Sequence, residues 1–247
     1  MTEARTAAAV IQDVTGRADP LAGRSALVTG ASGGIGAALC SALSQERALV
    51  RRLSRQAFVE PSTLDSWIRA DLTDDRAILA LANHPELSEL DILIHCAAEL
   101  RLGPIATASI EDFDLQYQTN VRAPYLLTQT LLPQLVRAQG QIVFINSSAG
   151  INAPANCAQY AATKHALKAF ADALRLEVNA HGVRVISIYP GRTATSMQQR
   201  VARYEAKPWT PEDLLQPDDI AAITVSALAA PRTAEVTDVH IRPSRKS

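Results

Sequence analysis

Short apolar runs alternate along this chain with longer stretches in which hydrophobic positions recur every three or four residues. Ser25-Ala26-Leu27-Val28-Thr29 is the first run, and it ends in a cluster of glycines. The stretch 35–46 follows as a helix, with Ile35, Leu39 and Leu43 at i, i+4 and i+8 on one face. Ala48-Leu49-Val50 begins a second strand, and Trp67-Ile68 leads a third into Asp71. Residues 91–95, 141–145 and 183–188 read as the fourth, fifth and sixth strands, and 236–241 as the seventh. Helices are predicted at about 74–83, 112–137, 157–180 and 217–230.

Strands that alternate with helices in this way imply a parallel sheet covered on both faces. The expected fold is therefore α/β, a doubly wound Rossmann fold with a seven-stranded parallel sheet. Ligands in such folds sit beyond the carboxyl ends of the strands, so the ends of these runs are the places to search. Residues 23–247 are read as one domain without repeats or low-complexity segments. The extension 1–22 is interrupted by Glu3, Arg5, Asp13, Arg17 and Asp19, so it is neither a signal peptide nor a membrane span. It is expected as a poorly ordered lead-in, or as a short helix using the apolar patch at 7–11. The connection between Arg55 and Asp71 leaves room for a single helical turn.

Composition narrows the function. A net charge of -1 provides no basic field for nucleic acid, and 4% aromatic residues are too few for a base-stacking platform. Cys40, Cys96 and Cys157 are odd in number and widely spaced, which excludes a disulfide framework and a recognisable metal site. This usage fits a reducing cytoplasm, and the expected partner is a small molecule rather than a membrane.

The first strand runs into Thr29-Gly30-Ala31-Ser32-Gly33-Gly34-Ile35-Gly36. Glycines at 30, 34 and 36 permit a tight turn, close approach of a pyrophosphate and close helix–sheet packing. The helix that opens there aims unpaired N–H groups at the phosphates. An NAD site wants a carboxylate at the end of the second strand, whereas this chain has Arg51-Arg52-Leu53-Ser54-Arg55. A guanidinium fork and a hydroxyl bind a 2′-phosphate, so NADP(H) is preferred over NAD(H), with Ser54 and Arg55 as contacts. Asp71, followed by Leu72, ends the third strand; its carboxylate either accepts from an adenine amino group or helps Thr73 cap the next helix.

Tyr160 and Lys164 lie one turn apart on a predicted helix, so both project from one face. A phenol beside an ammonium is a proton donor whose pKa the cation can lower. Ser147 precedes Tyr160 by thirteen residues, just beyond the fifth strand, and is chosen over Ser148. His165 is expected to face away, because adjacent helical residues point about 100° apart.

These motifs resemble the short-chain dehydrogenase/reductase family, over nearly everything from 23 to 243. The resemblance rests on the glycine turn at 29–36, Asp71, Asn120, Ser147, the Tyr160/Lys164 pair, and Pro190-Gly191 followed by Thr193 and Thr195. It implies that Tyr160 protonates a carbonyl oxygen, that Lys164 lowers the Tyr160 pKa and holds the nicotinamide ribose, and that Ser147 steadies the substrate oxygen. Asn120 would hold a water in a proton relay, and 190–195 would meet the nicotinamide carboxamide. Pairing through the helices at 112–137 and 157–180, as a homodimer or homotetramer, is implied likewise.

One motif departs from the family. Where relatives read Asn-Ala-Gly, this chain has Cys96-Ala97-Ala98, losing a bracing amide and adding a methyl beside the cofactor. Cys157 either lines the pocket or is a buried thiol. Residues 196–215 lack a strong period and read as a mobile lid, with a short amphipathic helix at 195–206 as the alternative. The expected activity is NADP(H)-dependent interconversion of a carbonyl and an alcohol. The alternatives are a dinucleotide-binding redox sensor without turnover, or an epimerase or dehydratase using the same tyrosine.

Overall fold

The computed structural model describes residues 19–56 and 65–244. Most of the N-terminal extension and the connection at 57–64 therefore lie outside the described residues. Seven parallel strands form one sheet in the order β3-β2-β1-β4-β5-β6-β7. In chain order these are β1 (Ser25–Thr29), β2 (Leu49–Ser54), β3 (Asp65–Arg69), β4 (Ile92–His95), β5 (Gln141–Ile145), β6 (Arg184–Pro190) and β7 (Asp238–Ile241).

Alternation along β1 shows how the two faces are filled. Ala26 and Val28 join the layer with α1 (Gly34–Gln45) and α7 (Pro217–Leu228), while Leu27 joins the layer with α2 (Asp75–Ala80), α4 (Ala123–Ala138) and α5 (Ala158–Val178). Leu21, from the end of the extension, is 2% exposed within the first layer.

One element differs from the sequence-based expectation, and two others gain detail. β2 runs on through Arg51 and Arg52 because distant partners neutralise both: Glu86 at 2.8 Å from Arg51, and Asp65 of β3, which accepts from Arg52 Nε at 2.8 Å. The helix predicted at 112–137 is α3 (Ile110–Tyr117) and α4, joined by a π-helical turn at Gln118–Arg122. Within 196–215 the structure has the helix given as the alternative to a lid, α6 (Ser196–Tyr204), followed by a 3-10 turn at Pro211–Asp213. Thr195 starts α6 by accepting from the Gln198 N–H at 3.2 Å. No described helix is long and apolar enough to cross a membrane.

Candidate active site

A cavity of about 600 Å³ opens beyond the carboxyl ends of β1, β2, β4, β5 and β6. At one end is the glycine turn. Gly30 has φ +66, and a Cβ there would lie 2.8 Å from the Ala97 backbone. At Gly36 a Cβ would sit 2.2 Å from the Gly30 carbonyl, so only hydrogen lets α1 approach the strand. The first turn of α1 has no side-chain cap and no acidic residue, which leaves its N–H groups free for an anion.

The other residues expected at the nucleotide end line the same cavity: Ser32, Gly33, Gly34, Ile35, Ser54, Arg55, Asp71 and Leu72. Two of them are already engaged within the chain. The Ser54 hydroxyl donates to the Gln56 carbonyl. Asp71 accepts from the Thr73 N–H at 2.9 Å and from its hydroxyl at 2.8 Å, and these bonds hold its carboxyl below the usual range. The α2 cap itself is Asp74.

At the end of β4, the bracing that an amide side chain would give comes from Thr29. Its hydroxyl accepts from the N–H groups of Cys96 at 2.9 Å and Ala97 at 3.1 Å, and donates to the Ile94 carbonyl at 3.3 Å. Cys96, Ala97 and Ala98 all line the cavity, and Ala98 has no positive φ that would demand glycine. Burial pushes the Cys96 thiol up to about 12, so it is not a reactive thiolate.

Ser147, Tyr160 and Lys164 share one wall. Ser147 sits where β5 turns into a short 3-10 segment; its hydroxyl accepts from the Ala149 N–H at 3.1 Å and faces the Tyr160 phenol. Ser148 is exposed, which leaves Ser147 as the serine in contact with the tyrosine. Lys164 is 2% exposed and donates to the Ile145 carbonyl at 3.1 Å, leaving two ammonium hydrogens for other acceptors. Burial brings its pKa down to about 8. The lowered tyrosine pKa expected from the sequence is not what this geometry produces. Burial raises the Tyr160 phenol well above its ordinary value, and the Ser147 hydroxyl offsets only part of that rise.

Asn120 alone among the predicted residues does not line the cavity. It is 1% exposed and sits in the π-turn. Its amide donates to the Glu99 carbonyl at 2.8 Å and the Thr163 hydroxyl at 3.0 Å, and its side-chain carbonyl accepts from the Glu99 N–H at 2.8 Å. Pro124, four residues on, has no N–H to return to the Asn120 backbone carbonyl. Sequence reasoning missed Asn146, the neighbour of Ser147. Its amide donates to the Lys164 carbonyl at 3.2 Å and ties β5 to α5 at the lysine.

The loop after β6 carries Pro190, Gly191, Thr193 and Thr195 to the cavity. It is held by backbone bonds to Leu215, at 2.7 Å from Ala194 and 3.1 Å to Arg192. The Thr195 hydroxyl, expected at the carboxamide, also donates to the Thr193 carbonyl at 3.3 Å. Cys157 is 6% exposed and lines the cavity too, so both readings of that residue hold. His165 is exposed, as expected.

Comparison with known proteins agrees with this geometry. A family model described as short chain dehydrogenase matches residues 24–206. The glycine betaine reductase of Emericella nidulans is 32% identical over 240 residues, 91% of this chain, although the chain spans only 19% of that protein's length. An NADPH-dependent 3-dehydrocapnine reductase from Ornithobacterium rhinotracheale is 33% identical over 190 residues, covering 70% of this chain and 67% of its own. A crystal structure of a short chain dehydrogenase from Shigella flexneri complexed with NADP is 29% identical, has a TM-score of 0.80, and matches 91% of this chain and 99% of that one. The chain belongs to the short-chain dehydrogenase/reductase family of oxidoreductases.

Proposed function

We propose that this protein is an NADP(H)-dependent oxidoreductase that interconverts a carbonyl and an alcohol on a small molecule. One observation carries the reading: Ser147, Tyr160 and Lys164 converge on one wall of the cavity that also holds the glycine turn. The uncapped N-terminus of α1 and the close packing at Gly30 and Gly36 fit a dinucleotide pyrophosphate. Ser54 and Arg55 would hold a 2′-phosphate, Asp71 and Leu72 the adenine end, and 96–98 with 190–195 the nicotinamide end. When bound, the nicotinamide supplies or accepts the hydride.

The chain supplies the remaining chemistry. The Ser147 hydroxyl donates to the substrate oxygen and steadies its developing charge. Tyr160 gives that oxygen its phenolic proton; the raised pKa keeps the phenol protonated until an alkoxide forms beside it. Lys164 then stabilises the phenolate. The Asn120 backbone carbonyl, with no α-helical donor from Pro124, is the acceptor for a water that returns the proton. Pairing through α4 and α5, whose exposed faces include Tyr125 and Leu176, belongs to the same reading and is measured by light scattering.

The test is a panel of ketones, aldehydes and alcohols assayed for NADPH consumption or NADP+ reduction. Turnover that disappears in Tyr160→Phe while NADPH still binds supports the proposal. Tight NADPH binding without turnover of any compound sinks it.

A further inference from the structure

Past the reacting wall, the cavity continues outward between the 99–102 segment and α6. Leu100 and Leu102 pack against the cluster containing Tyr160 and Cys157. The same two leucines, with Val201 and Tyr204, line an adjoining recess of about 470 Å³. An apolar path therefore leads from the phenol towards the surface. On α6, positions 197, 200, 201 and 204 fall on one helical face, and all four line the cavity. Three of them are Met197, Val201 and Tyr204; the fourth is Arg200.

The charges at this outer end are nearly all paired. Arg101 holds Glu99 at 2.8 Å and lies 3.5 Å from Asp112. Arg192 grips both oxygens of Glu205 at 2.8 and 2.6 Å, and Lys207 lies 3.2 Å from the same carboxylate. Arg200 is exposed and lines both recesses, yet it has no ion pair or hydrogen bond among the described residues. A guanidinium with five unused donors, at the end of an apolar wall whose carboxylates are already neutralised, is a seat for an oxyanion.

We propose, building on the carbonyl–alcohol reading above, that the substrate is amphiphilic: its carbonyl meets Tyr160, an apolar stretch follows Leu100 and Leu102, and a carboxylate or similar oxyanion rests on Arg200. Leu100 and Leu102 pack on the Tyr160 side and line the recess that holds Arg200, so the two polar ends are separated by an apolar stretch. A 2-oxo acid, whose carboxylate adjoins its carbonyl, has no apolar stretch to place against these leucines. The Arg200 contact is partly wet, so it weakens as salt is added.

The experiment compares suberic semialdehyde with its methyl ester in the wild type, Arg200→Gln and Arg200→Lys. The wild type is expected to favour the free acid by ~10-fold in kcat/KM, the usual scale of a charge-assisted pair near solvent. Arg200→Gln removes that preference while leaving the ester within about twofold, and Arg200→Lys restores part of it. Equal losses on acid and ester, or a wild type that favours the ester, overturn the proposal. Calorimetric titration with octanoate and octanamide gives a readout that needs no turnover. Octanoate binding that is unchanged in Arg200→Gln overturns the anion seat by itself. Octanoate binding that depends on Arg200, without reduction of either aldehyde, supports the seat and counts only against the redox reading.

Discussion

The Lys164 ammonium stands 5.7 Å from the centroid of the Tyr160 ring while donating to the Ile145 carbonyl at 3.1 Å. In water a phenol and an ammonium ionise close together, near 10.0 and 10.5. Burial here drives them apart, raising the phenol and lowering the ammonium to about 8. The lysine therefore loses its charge well before the tyrosine does. If phenolate stabilisation needs the Lys164 cation, reduction should fall on the alkaline side with an apparent pKa near 8. In Lys164→Arg the residual activity should lose that limb. An alkaline limb unchanged by Lys164→Arg would assign it to another group.

The same lysine makes a stability prediction of defined sign. The unfolded chain holds the Lys164 proton up to about 10.5, the folded chain only to about 8. Between those values the unfolded state binds more protons, so stability rises with pH across that window. Below it, both states are charged and the cost of the buried cation is fully present. Lys164→Met should stabilise the protein at neutral pH by on the order of 1–3 kcal/mol while abolishing turnover. The gain should shrink as pH climbs from about 8 to 10.5, as thermal melts along a pH series would show.

Two glycines of one turn separate folding from binding. A Cβ at Gly36 meets the Gly30 carbonyl at 2.2 Å, and backbone cannot swing aside, so Gly36→Ala should cost ~3 kcal/mol. Gly33 is extended at φ -179, and a Cβ there meets no protein atom within 4 Å. Gly33→Ala should melt at the wild-type temperature yet bind NADPH ~10-fold more weakly, because Gly33 lines the cavity at the turn proposed to hold the pyrophosphate. Retained affinity in Gly33→Ala would remove the pyrophosphate from this turn.

Legibility in the sequence followed the range of the forces involved. The β1–turn–α1 unit was readable because its period change and its glycines are adjacent in the chain. The second strand was legible through Arg51 and Arg52, but their partners Glu86 and Asp65 were not, because they arrive from elsewhere in the fold. The π-turn at 118–122 is pinned by bonds from Asn120 to Glu99 and Thr163, and only the fold brings Thr163 near. In α6 the apolar positions 197, 201 and 204 carry a helical spacing, so the helix was legible as the alternative to a lid, while Gln198, Gln199, Arg200 and Arg203 weakened its period. The grouping of Ser147, Tyr160 and Lys164 on one cavity wall was legible by type and spacing. The rise of the Tyr160 pKa was not, because burial in the assembled pocket outweighs the one neighbour that is visible in sequence.

Cofactor choice can be tested with two neighbouring residues that differ in how free they are. Arg55 is exposed at the end of β2 and lines the cavity, whereas the Ser54 hydroxyl is engaged with the Gln56 carbonyl. Arg55→Asp replaces a guanidinium fork with a carboxylate that repels a 2′-phosphate and accepts from a 2′-OH. The ratio of kcat/KM for NADPH over NADH should therefore fall by ~100-fold, most steeply at low ionic strength. Ser54→Ala should move that ratio by less than about threefold, the scale of a neutral hydrogen bond whose donor is already committed. A large effect of Ser54→Ala with none from Arg55→Asp would place 2′-phosphate recognition on the serine and leave the arginine as surface charge.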